Sequence, residues 1–263
     1  MVSTEQARRK YDAIADRYED MFFYVVDVGQ QLVDYADPVS GTRMLDVGAG
    51  RGAVARAGLA RGCIVTAVDA SPRMVELMGL DFPEITVKQM DVGRLDFADD
   101  SFDLVTAGFV VQVLDDPAAA IAEIRRVLAP AGVLALSLEK QSVGRLQWLH
   151  ELNVEFFSPT PDDTTVDQEV GPMTDQDVGT LLAQAGFVDL TQKSVEMPLS
   201  MSDPLALWDW LISQGLKEAL QSMSDKRIAE FRKRFFIEAE RMHAHGGIVL
   251  DFGATLHRAH APM

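Results

Sequence analysis

Three aspartates stand where side chains of a parallel sheet could meet a ligand. Asp46, Asp69 and Asp91 each lie within or directly after a short apolar run. A carboxylate at the end of a strand can accept hydrogen bonds from both hydroxyls of a ribose, and such charge-assisted bonds are stronger than neutral ones. The chemistry that these residues suit best is the binding of a nucleoside.

A glycine-rich turn separates the first two of these aspartates. Gly48, Gly50 and Gly52 directly precede a helical pattern, and Asp69 follows Gly48 by 21 residues, the length of one strand–helix–strand unit. Glycines let the backbone adopt positive φ and let a ligand lie against it, while the first amides of the next helix point toward the same place. The turn also satisfies the loose dinucleotide fingerprint G-x-G-x-x-G/A, so a nicotinamide or flavin enzyme remains an alternative at this point.

The elements that must position these residues alternate between strand and helix from residue 43 to residue 139. Five mostly apolar runs predict strands that are buried on both faces, as in a parallel sheet that helices cover. Helix starts are marked by Ser71-Pro72 and Asp116-Pro117, each an N-cap side chain followed by proline. The five predicted strands are 43–48, 63–69, 84–89, 102–108 and 132–138.

The flanking segments predict helices, a loop and two further strands. Apolar residues recur at helical spacing in the first forty residues, and residues 155–177 are rich in Pro, Asp and Thr, which is typical of a mobile loop or lid. Strands are predicted at 187–195 and 248–256, and helices at 203–222 and 224–243. The predicted parts are N-terminal cap helices (1–40), a cofactor-binding core (41–140), a lid with the sixth strand (141–202), a helical cap insertion (203–245), and a final strand with the tail (246–263).

The segment LDVGAGRG at residues 45–52 resembles the D-x-G-x-G motif of class I S-adenosylmethionine-dependent methyltransferases, in particular the small-molecule enzymes of methyltransferase type 11. Residues 68–74, 89–92, 101–108 and 128–134 resemble further family segments in the same order. The resemblance implies an α/β fold: a doubly wound, seven-stranded sheet, mostly parallel with one antiparallel strand, plus a helical cap. It also implies S-adenosylmethionine as cofactor and S-adenosylhomocysteine as product.

The same resemblance assigns roles to individual residues. Gly48 and Gly50 would lie against the methionine moiety, Asp69 would hold the ribose, and Asp91 with the Val92 amide would hold the adenine. Tyr18 belongs to a segment similar to the Y-D-x-x-A-x-x-Y-D helix that covers the cofactor in many relatives. The complete set of expected cofactor-site residues is Tyr18, Asp46, Gly48, Ala49, Gly50, Asp69, Ala70, Met74, Asp91, Val92, Gly108 and Phe109.

Charge and cysteine content restrict the partners. The 263-residue chain has a formal net charge of −16 and a single cysteine, Cys63. A charge of this sign opposes attraction to nucleic acids and anionic membranes, so we expect a small-molecule acceptor and neither of those partners. One cysteine excludes an intrachain disulfide, and the polar N-terminal residues lack the apolar segment of a secretion signal, which together favour the cytoplasm. A homodimer remains open.

Methyl transfer from a sulfonium is an in-line displacement that mainly requires positioning and exclusion of water. Where the acceptor loses a proton, a general base helps, and the candidates are His150, His243 and His245. Gln112 stands in a segment where small-molecule relatives often carry a histidine, and dispersed acidic residues predict no metal site. The expected function is methyl transfer to a small, apolar or aromatic metabolite; the alternatives are an NAD-dependent oxidoreductase and a non-catalytic cofactor-binding module.

Overall fold

The computed structural model describes residues 4–140, 144–157, 173–221 and 223–263. The chain divides into two compact units, one of Met1–Glu139, Val170–Val195 and Ala254–Met263, the other of Lys140–Glu169 and Glu196–Gly253. None of the helices among the described residues is both long and apolar enough to span a membrane. The five-part division expected from the sequence stays a prediction.

The described strands form one sheet of seven in the order β3-β2-β1-β4-β5-β7-β6. Strands β1 to β5 pair in parallel, whereas β7 runs antiparallel to β5. The predicted α/β fold with a mostly parallel, seven-stranded sheet is therefore confirmed. The strands are β1 (Arg43–Val47), β2 (Ile64–Asp69), β3 (Thr86–Gln89), β4 (Phe102–Gly108), β5 (Leu128–Glu139), β6 (Val188–Met201) and β7 (Ile248–His260).

Helices cover both faces of this sheet because alternate residues of each strand face opposite layers. Leu45 of β1 belongs to a buried cluster with Ile121 of the helix Pro117–Val127. Its neighbour Met44 faces the other side, where a side chain at Gly58, in the helix Ala53–Ala60, would overlap the Met44 sulfur. Full burial of each such aliphatic side chain stabilises the fold by about 1.5–3 kcal/mol.

The strand order reverses between β1 and β4. The chain passes from β1 to β2 and β3 on one side of the sheet, and β4 and β5 then lie on the other side. At such a reversal the loops after the two central strands diverge and leave a crevice at the carboxyl ends of the strands. Gly48 directly follows β1 and Gly108 ends β4, so both border this crevice.

The helices begin at residues that the sequence marks as caps. Ser71 and Asp116 each accept a backbone amide hydrogen bond before a proline, and Thr174 forms a reciprocal capping box with Asp177. The helices are α1 (Thr4–Ile14), α2 (Tyr18–Met21), α3 (Val25–Ala36), α4 (Ala53–Ala60), α5 (Pro72–Asp81), α6 (Pro117–Val127), α7 (Gln147–Phe157), α8 (Asp175–Gln184), α9 (Pro204–Leu211), α10 (Lys217–Gln221) and α11 (Asp225–Ala244).

Two predicted helices are interrupted. Between α1 and α2 the chain makes a 3₁₀ turn at Ala15–Arg17, where the Arg51 guanidinium donates a hydrogen bond of 3.1 Å to the Ala15 carbonyl. The helix expected over 203–222 breaks at a π-helical turn, Ile212–Leu216, because Gly215 adopts φ 113°, outside helical geometry. Both interruptions depend on local backbone contacts that apolar periodicity does not encode.

The loop and strand boundaries also differ from the sequence prediction. Residues 158–172 of the expected loop lie outside the described residues, while its first residues, Glu155–Phe157, are helical because Phe156 packs at 5.3 Å against Phe231. Strand β5 begins at Leu128, four residues earlier than predicted, because Leu128 pairs with Phe102 before a register shift.

The second unit has its own aromatic core. Phe231 and Phe235 of α11 are fully buried, and the Trp208 ring lies 5.0 Å from that of Phe235. Trp208 and Phe235 therefore pack within this core. Trp210 and Phe236 are half-buried.

Candidate active site

The turn between β1 and α4 brings two backbone positions to the crevice. Gly48 and Gly50 adopt φ of +60° and +55°, a region that side-chain-bearing residues rarely occupy. A Cβ on Gly48 would lie 2.5 Å from Val110 Cγ2, and one on Gly50 would lie 3.8 Å from Tyr18 Cε1. Glycine is required at residue 48 by both conformation and packing, and at residue 50 by conformation.

Asp46 lies directly beneath this turn and is buried. Its Oδ1 accepts a hydrogen bond of 2.8 Å from the Thr106 hydroxyl of β4, while Oδ2 has no hydrogen-bond partner. Burial raises the pKa of Asp46 to about 7, although Thr106 and the nearby Ala55 amide act in the opposite direction. The carboxyl group is therefore poised between its protonated and ionised forms near neutral pH.

Asp69 ends β2 beside the same turn. Oδ2 accepts the Gly50 amide at 2.8 Å and Oδ1 accepts the Ser71 amide at 2.8 Å. Burial raises the pKa of Asp69, and the two amides partly offset this effect. Since a carboxylate offers about four acceptor positions, two remain for a ligand after both amides have bound.

A cavity of about 130 Å³ extends from the turn across the carboxyl ends of β2 and β4, and a smaller one of about 40 Å³ adjoins it beneath Gly50. All twelve residues expected at the cofactor site line one or both of them. Asp46 and Ala49 line only the smaller cavity, where Ser137 also lies. The residues lining the larger one are Tyr18, Gly48, Gly50, Asp69, Ala70, Met74, Asp91, Val92, Gly108 and Phe109, together with Thr4, Ala7, Arg8, Tyr11, Met90, Val110, Val113 and Leu114.

Aromatic rings from the N-terminal segment form a connected series beside these cavities. The Tyr18 ring contacts those of Tyr11 and Phe22, with centroids 6.1 and 4.9 Å apart. Tyr24 lies 6.2 Å from Phe22 and 6.1 Å from Phe109, so the series joins the N-terminal segment to the loop after β4. Each edge-to-face pair of this kind contributes about 0.5–1.5 kcal/mol beyond the area that it buries.

Polar contacts hold the same segment against the core. Asp12 Oδ1 accepts hydrogen bonds from the Ser71 hydroxyl at 2.6 Å and the Arg73 amide at 3.1 Å. Arg51 joins the Ala15 carbonyl to Asp81, to which it donates at 2.5 Å. The segment that supplies Tyr11 and Tyr18 is thus attached to the glycine turn and to the start of α5.

Some residues at the site give no signal in the sequence. Thr106 and Ser137 are buried polar residues in apolar strands, and Ser137 Oγ accepts the Phe109 amide at 3.0 Å. This bond accompanies a positive φ of 58° at Phe109. Strand alternation could have indicated that Thr106 faces Asp46 only if the pairing of β1 with β4 had been known.

The three candidate histidines lie in the other unit. His150, His243 and His245 are exposed, and among the described residues none of them lines the two cavities beside the glycine turn. His245 borders a separate groove of about 510 Å³ together with Trp148 and Arg241. A role for these histidines as general bases stays a prediction.

Comparison with known proteins connects this geometry to a family. Residues 45–136 match the model of a methyltransferase domain. The chain is 30% identical over 219 residues to the malonyl-[acyl-carrier protein] O-methyltransferase of Halorhodospira halophila, a match that covers 81% of this chain and 71% of that relative. The chain belongs to the class I S-adenosylmethionine-dependent methyltransferases. It is an enzyme of this family, with S-adenosylmethionine as its cofactor, and the oxidoreductase alternative is not favoured.

Two further proteins resemble the methyltransferase, one over about half of this chain and one in fold with low sequence identity. It is 33% identical over 139 residues to the demethylmenaquinone methyltransferase of Renibacterium salmoninarum, covering 51% of this chain and 58% of that relative. It shares its fold with phosphoethanolamine N-methyltransferase 2 of Haemonchus contortus in complex with S-adenosyl-L-methionine, with a TM-score of 0.57 and 18% identity. This match covers 96% of the methyltransferase and 57% of the other chain.

The part of the chain that the structure describes contains no candidate metal-binding site. Groups of three or more His, Cys, Asp or Glu side chains that could hold a metal ion are absent there. The sequence-based expectation that the methyltransferase needs no metal stays a prediction.

Proposed function

We propose that the methyltransferase methylates a small, apolar or aromatic metabolite, with the acceptor bound beside the loop that follows β4. The observation that carries this proposal is the composition of the cavity wall at that end. Phe109, Val110, Val113 and Leu114 line it together with the Tyr11 ring, and apolar side chains predominate there. Such a wall suits a neutral ring or chain better than a phosphorylated or polyanionic acceptor.

The same proposal assigns the cofactor to the twelve residues around the glycine turn. Gly48 and Gly50 would lie against the methionine moiety, Asp69 would accept the ribose hydroxyls, and Asp91 with the Val92 amide would hold the adenine. The acceptor positions left on Asp69 and the backbone left open at Gly50 support this assignment. Asp46 Oδ2, buried without a hydrogen-bond partner, supplies a negative charge beneath the turn when ionised.

The bound cofactor supplies an electrophilic methyl group on a positively charged sulfur. The residues of this chain position the two reactants and exclude water, since an in-line displacement requires alignment more than covalent assistance. Tyr18 and Tyr11 close one side of the larger cavity, and Phe109, held by its amide bond to Ser137, borders both cavities. We expect Phe109 to separate the cofactor from the acceptor.

The relatives support a small acceptor without identifying it. One is an O-methyltransferase for malonyl-[acyl-carrier protein] and another a demethylmenaquinone methyltransferase, so the family resemblance admits both a carrier-bound and a ring-containing acceptor. We propose a cytoplasmic enzyme with neither nucleic acid nor membrane as substrate. Whether it forms a homodimer stays open.

Calorimetric titration tests the cofactor assignment, and a methyl-transfer assay tests the acceptor class. S-adenosylhomocysteine should bind and raise the melting temperature as RT ln(1 + [L]/Kd) requires, whereas NAD should do neither. Labelled methyl groups should then pass to members of a panel of small phenols and quinols. Stabilisation by NAD alone, or transfer only to a carrier protein, would contradict the proposal.

A further inference from the structure

Glu139 ends β5 two residues after Ser137. Because alternate residues of a strand share a face, the Glu139 side chain leaves the strand on the same side as Ser137. Ser137 lines the smaller cavity together with Gly108 and Phe109. Glu139 therefore stands one pleat beyond this cavity wall, toward the carboxyl end of the sheet.

The backbone at Glu139 is held in place from the loop after β4. The Gln112 side-chain carbonyl oxygen accepts the Glu139 amide hydrogen at 2.9 Å. Gln112 occupies the 3₁₀ turn Val111–Val113, and Val113 lines the larger cavity. The turn whose Val113 lines the larger cavity thus also holds the backbone from which the Glu139 side chain extends.

The charge of the Glu139 carboxylate acts on two phenols of the N-terminal segment, Tyr11 and Tyr24. Burial raises the pKa of Tyr24 and of Tyr11, and the negative charge of Glu139 raises both further. Both phenols consequently remain protonated at neutral pH and can donate hydrogen bonds but not remove a proton. Opposite Glu139 on β7 lies the uncharged Ala254, and the following residue, Lys140, is ion-paired with Glu196.

The other carboxylates around the described cavities are already engaged. Asp46 lies buried under Thr106, Asp69 accepts two backbone amides, and Asp91 accepts the Gly93 amide at 2.8 Å. Glu19 is paired with Arg56 at 3.9 Å. Glu139 is exposed, as is Asp91, and it ends β5 beside the turn Val111–Val113, where the acceptor is expected.

We propose that Glu139 is the general base of the reaction and that the acceptor is a neutral molecule with an ionisable O–H group, a phenol or an enol. This inference rests on the proposed function. The acceptor oxygen gives its proton to the Glu139 carboxylate while it forms a bond to the methyl carbon. The carbon–sulfur bond breaks, S-adenosylhomocysteine leaves, and Glu139 returns the proton to water.

The environment of Glu139 suits this task. Partial desolvation raises the pKa of Glu139, against the lowering effect of a hydrogen bond with the Gln112 side chain, and a base is most effective when its pKa approaches the working pH. The side chain is nevertheless open to solvent, so the carboxylate stays accessible. A carboxylate acceptor would meet a like charge here, which disfavours acids relative to phenols.

Binding to a matched pair of probes tests the acceptor class without requiring turnover. 1-Naphthol and 1-naphthoate share one ring system and differ in the group that would face Glu139. The S-adenosylhomocysteine complex of the wild type should bind the naphthol at least tenfold more tightly at pH 8. Glu139→Gln should bind the naphthoate about tenfold more tightly than the wild type does, because the like charge is gone.

Kinetics with 1-naphthol then test the base. Wild-type kcat should rise with pH as Glu139 ionises. Glu139→Gln should lower kcat by about 100-fold or more with little change in KM, and should abolish this rise. Glu84→Gln, an exposed glutamate before β3, is the control. The histidine variants His150→Gln, His243→Gln and His245→Gln should keep the wild-type pH profile.

The outcomes separate this inference from the proposed function. A wild type that prefers the naphthoate, equal affinities for the two probes, or a Glu139→Gln variant with unchanged selectivity and kcat would overturn the role of Glu139. Failure of the wild type to bind S-adenosylhomocysteine would instead contradict the cofactor assignment. The affinity of each protein for S-adenosylhomocysteine is therefore measured before either probe is added.

Discussion

The Thr106 hydroxyl donates a 2.8 Å hydrogen bond to Oδ1 of Asp46, while Oδ2 of this buried carboxyl has no partner. The folded-state pKa of about 7 lies above the ordinary value of 3.8. Between these pH values the native protein binds more protons than the unfolded chain, so the free energy of unfolding falls as the pH rises through this window. Below pH 4 this contribution is complete, and above pH 7 it has been lost.

Asp46→Asn should remove this pH dependence, because an amide cannot ionise. The free energy of unfolding of the variant, relative to wild type, should increase by about 2 to 3 kcal/mol between pH 5 and pH 8. Urea unfolding at both pH values measures the change. Asp99→Asn, at a side chain that is 72% exposed, is the control, and parallel curves for wild type and Asp46→Asn would contradict the prediction.

Arg51→Ala should loosen the N-terminal segment over the site. The variant loses the hydrogen bonds to the Ala15 carbonyl and to Asp81, which a side chain only 13% exposed makes in the native protein. We expect faster hydrogen exchange at the amides of α2 and a roughly three- to tenfold faster dissociation of S-adenosylhomocysteine, since affinity changes of this kind mostly appear in the off-rate.

Arg61→Ala is the matched control for Arg51→Ala, because Arg61 forms a comparable pair with Asp34 away from the cavities. Both variants lose an ion pair, and only Arg51→Ala loses the contact to Ala15. Equal exchange rates at α2 in the two variants would show that Arg51 does not hold this segment.

The strands that the sequence predicts well are those with local boundary signals. β1, β2 and β4 begin and end within one residue of their predicted limits, because glycine and aspartate follow compact apolar runs. β5 starts earlier because Leu128 pairs with Phe102, and β7 extends to His260 because it pairs with β5 as far as Val133. Those pairings connect residues that are distant in sequence, so no local pattern reveals them.

The same distinction separates the site residues. Gly48, Gly50 and Asp69 are recognisable because motif spacing identifies strand ends. Thr106 donates to a carboxylate on another strand, and the Glu139 amide is held by Gln112 of a distant turn; a polar residue in or after an apolar strand does not indicate which group it meets. Only the order of the strands brings them to the crevice.

Gly50→Val should prevent cofactor binding in a folded protein. Its φ of +55° costs a β-branched residue about 1–2 kcal/mol, and the new side chain would occupy the space between the turn and Tyr18. S-adenosylhomocysteine should bind at least tenfold more weakly by calorimetry. Gly186→Val carries similar strain at φ +80° in open space and should lose stability but no affinity. Equal affinity losses in both variants would remove the turn from the site.

Asp69→Ala should weaken the binding of S-adenosylhomocysteine by about a hundredfold or more. The carboxylate would accept both ribose hydroxyls, and each hydrogen bond to a charged group contributes roughly 1.5–3 kcal/mol, where 1.4 kcal/mol is a factor of ten. Stability should fall as well, since Asp69 also accepts the Gly50 and Ser71 amides at 2.8 Å.

Asp116→Ala separates the two effects of Asp69→Ala. Asp116 accepts the Ala119 amide at 2.9 Å as the N-cap of α6, so its loss should cost about 1 kcal/mol of stability without touching the cavities. Calorimetric titration of both folded variants with S-adenosylhomocysteine measures the difference in affinity. The titration is done at pH 8 because the raised pKa of wild-type Asp69 makes its carboxyl group more ionised there than at lower pH. If Asp69→Ala and Asp116→Ala both bind S-adenosylhomocysteine as the wild type does, Asp69 only organises the turn, and the ribose must be held by another residue of the cavity.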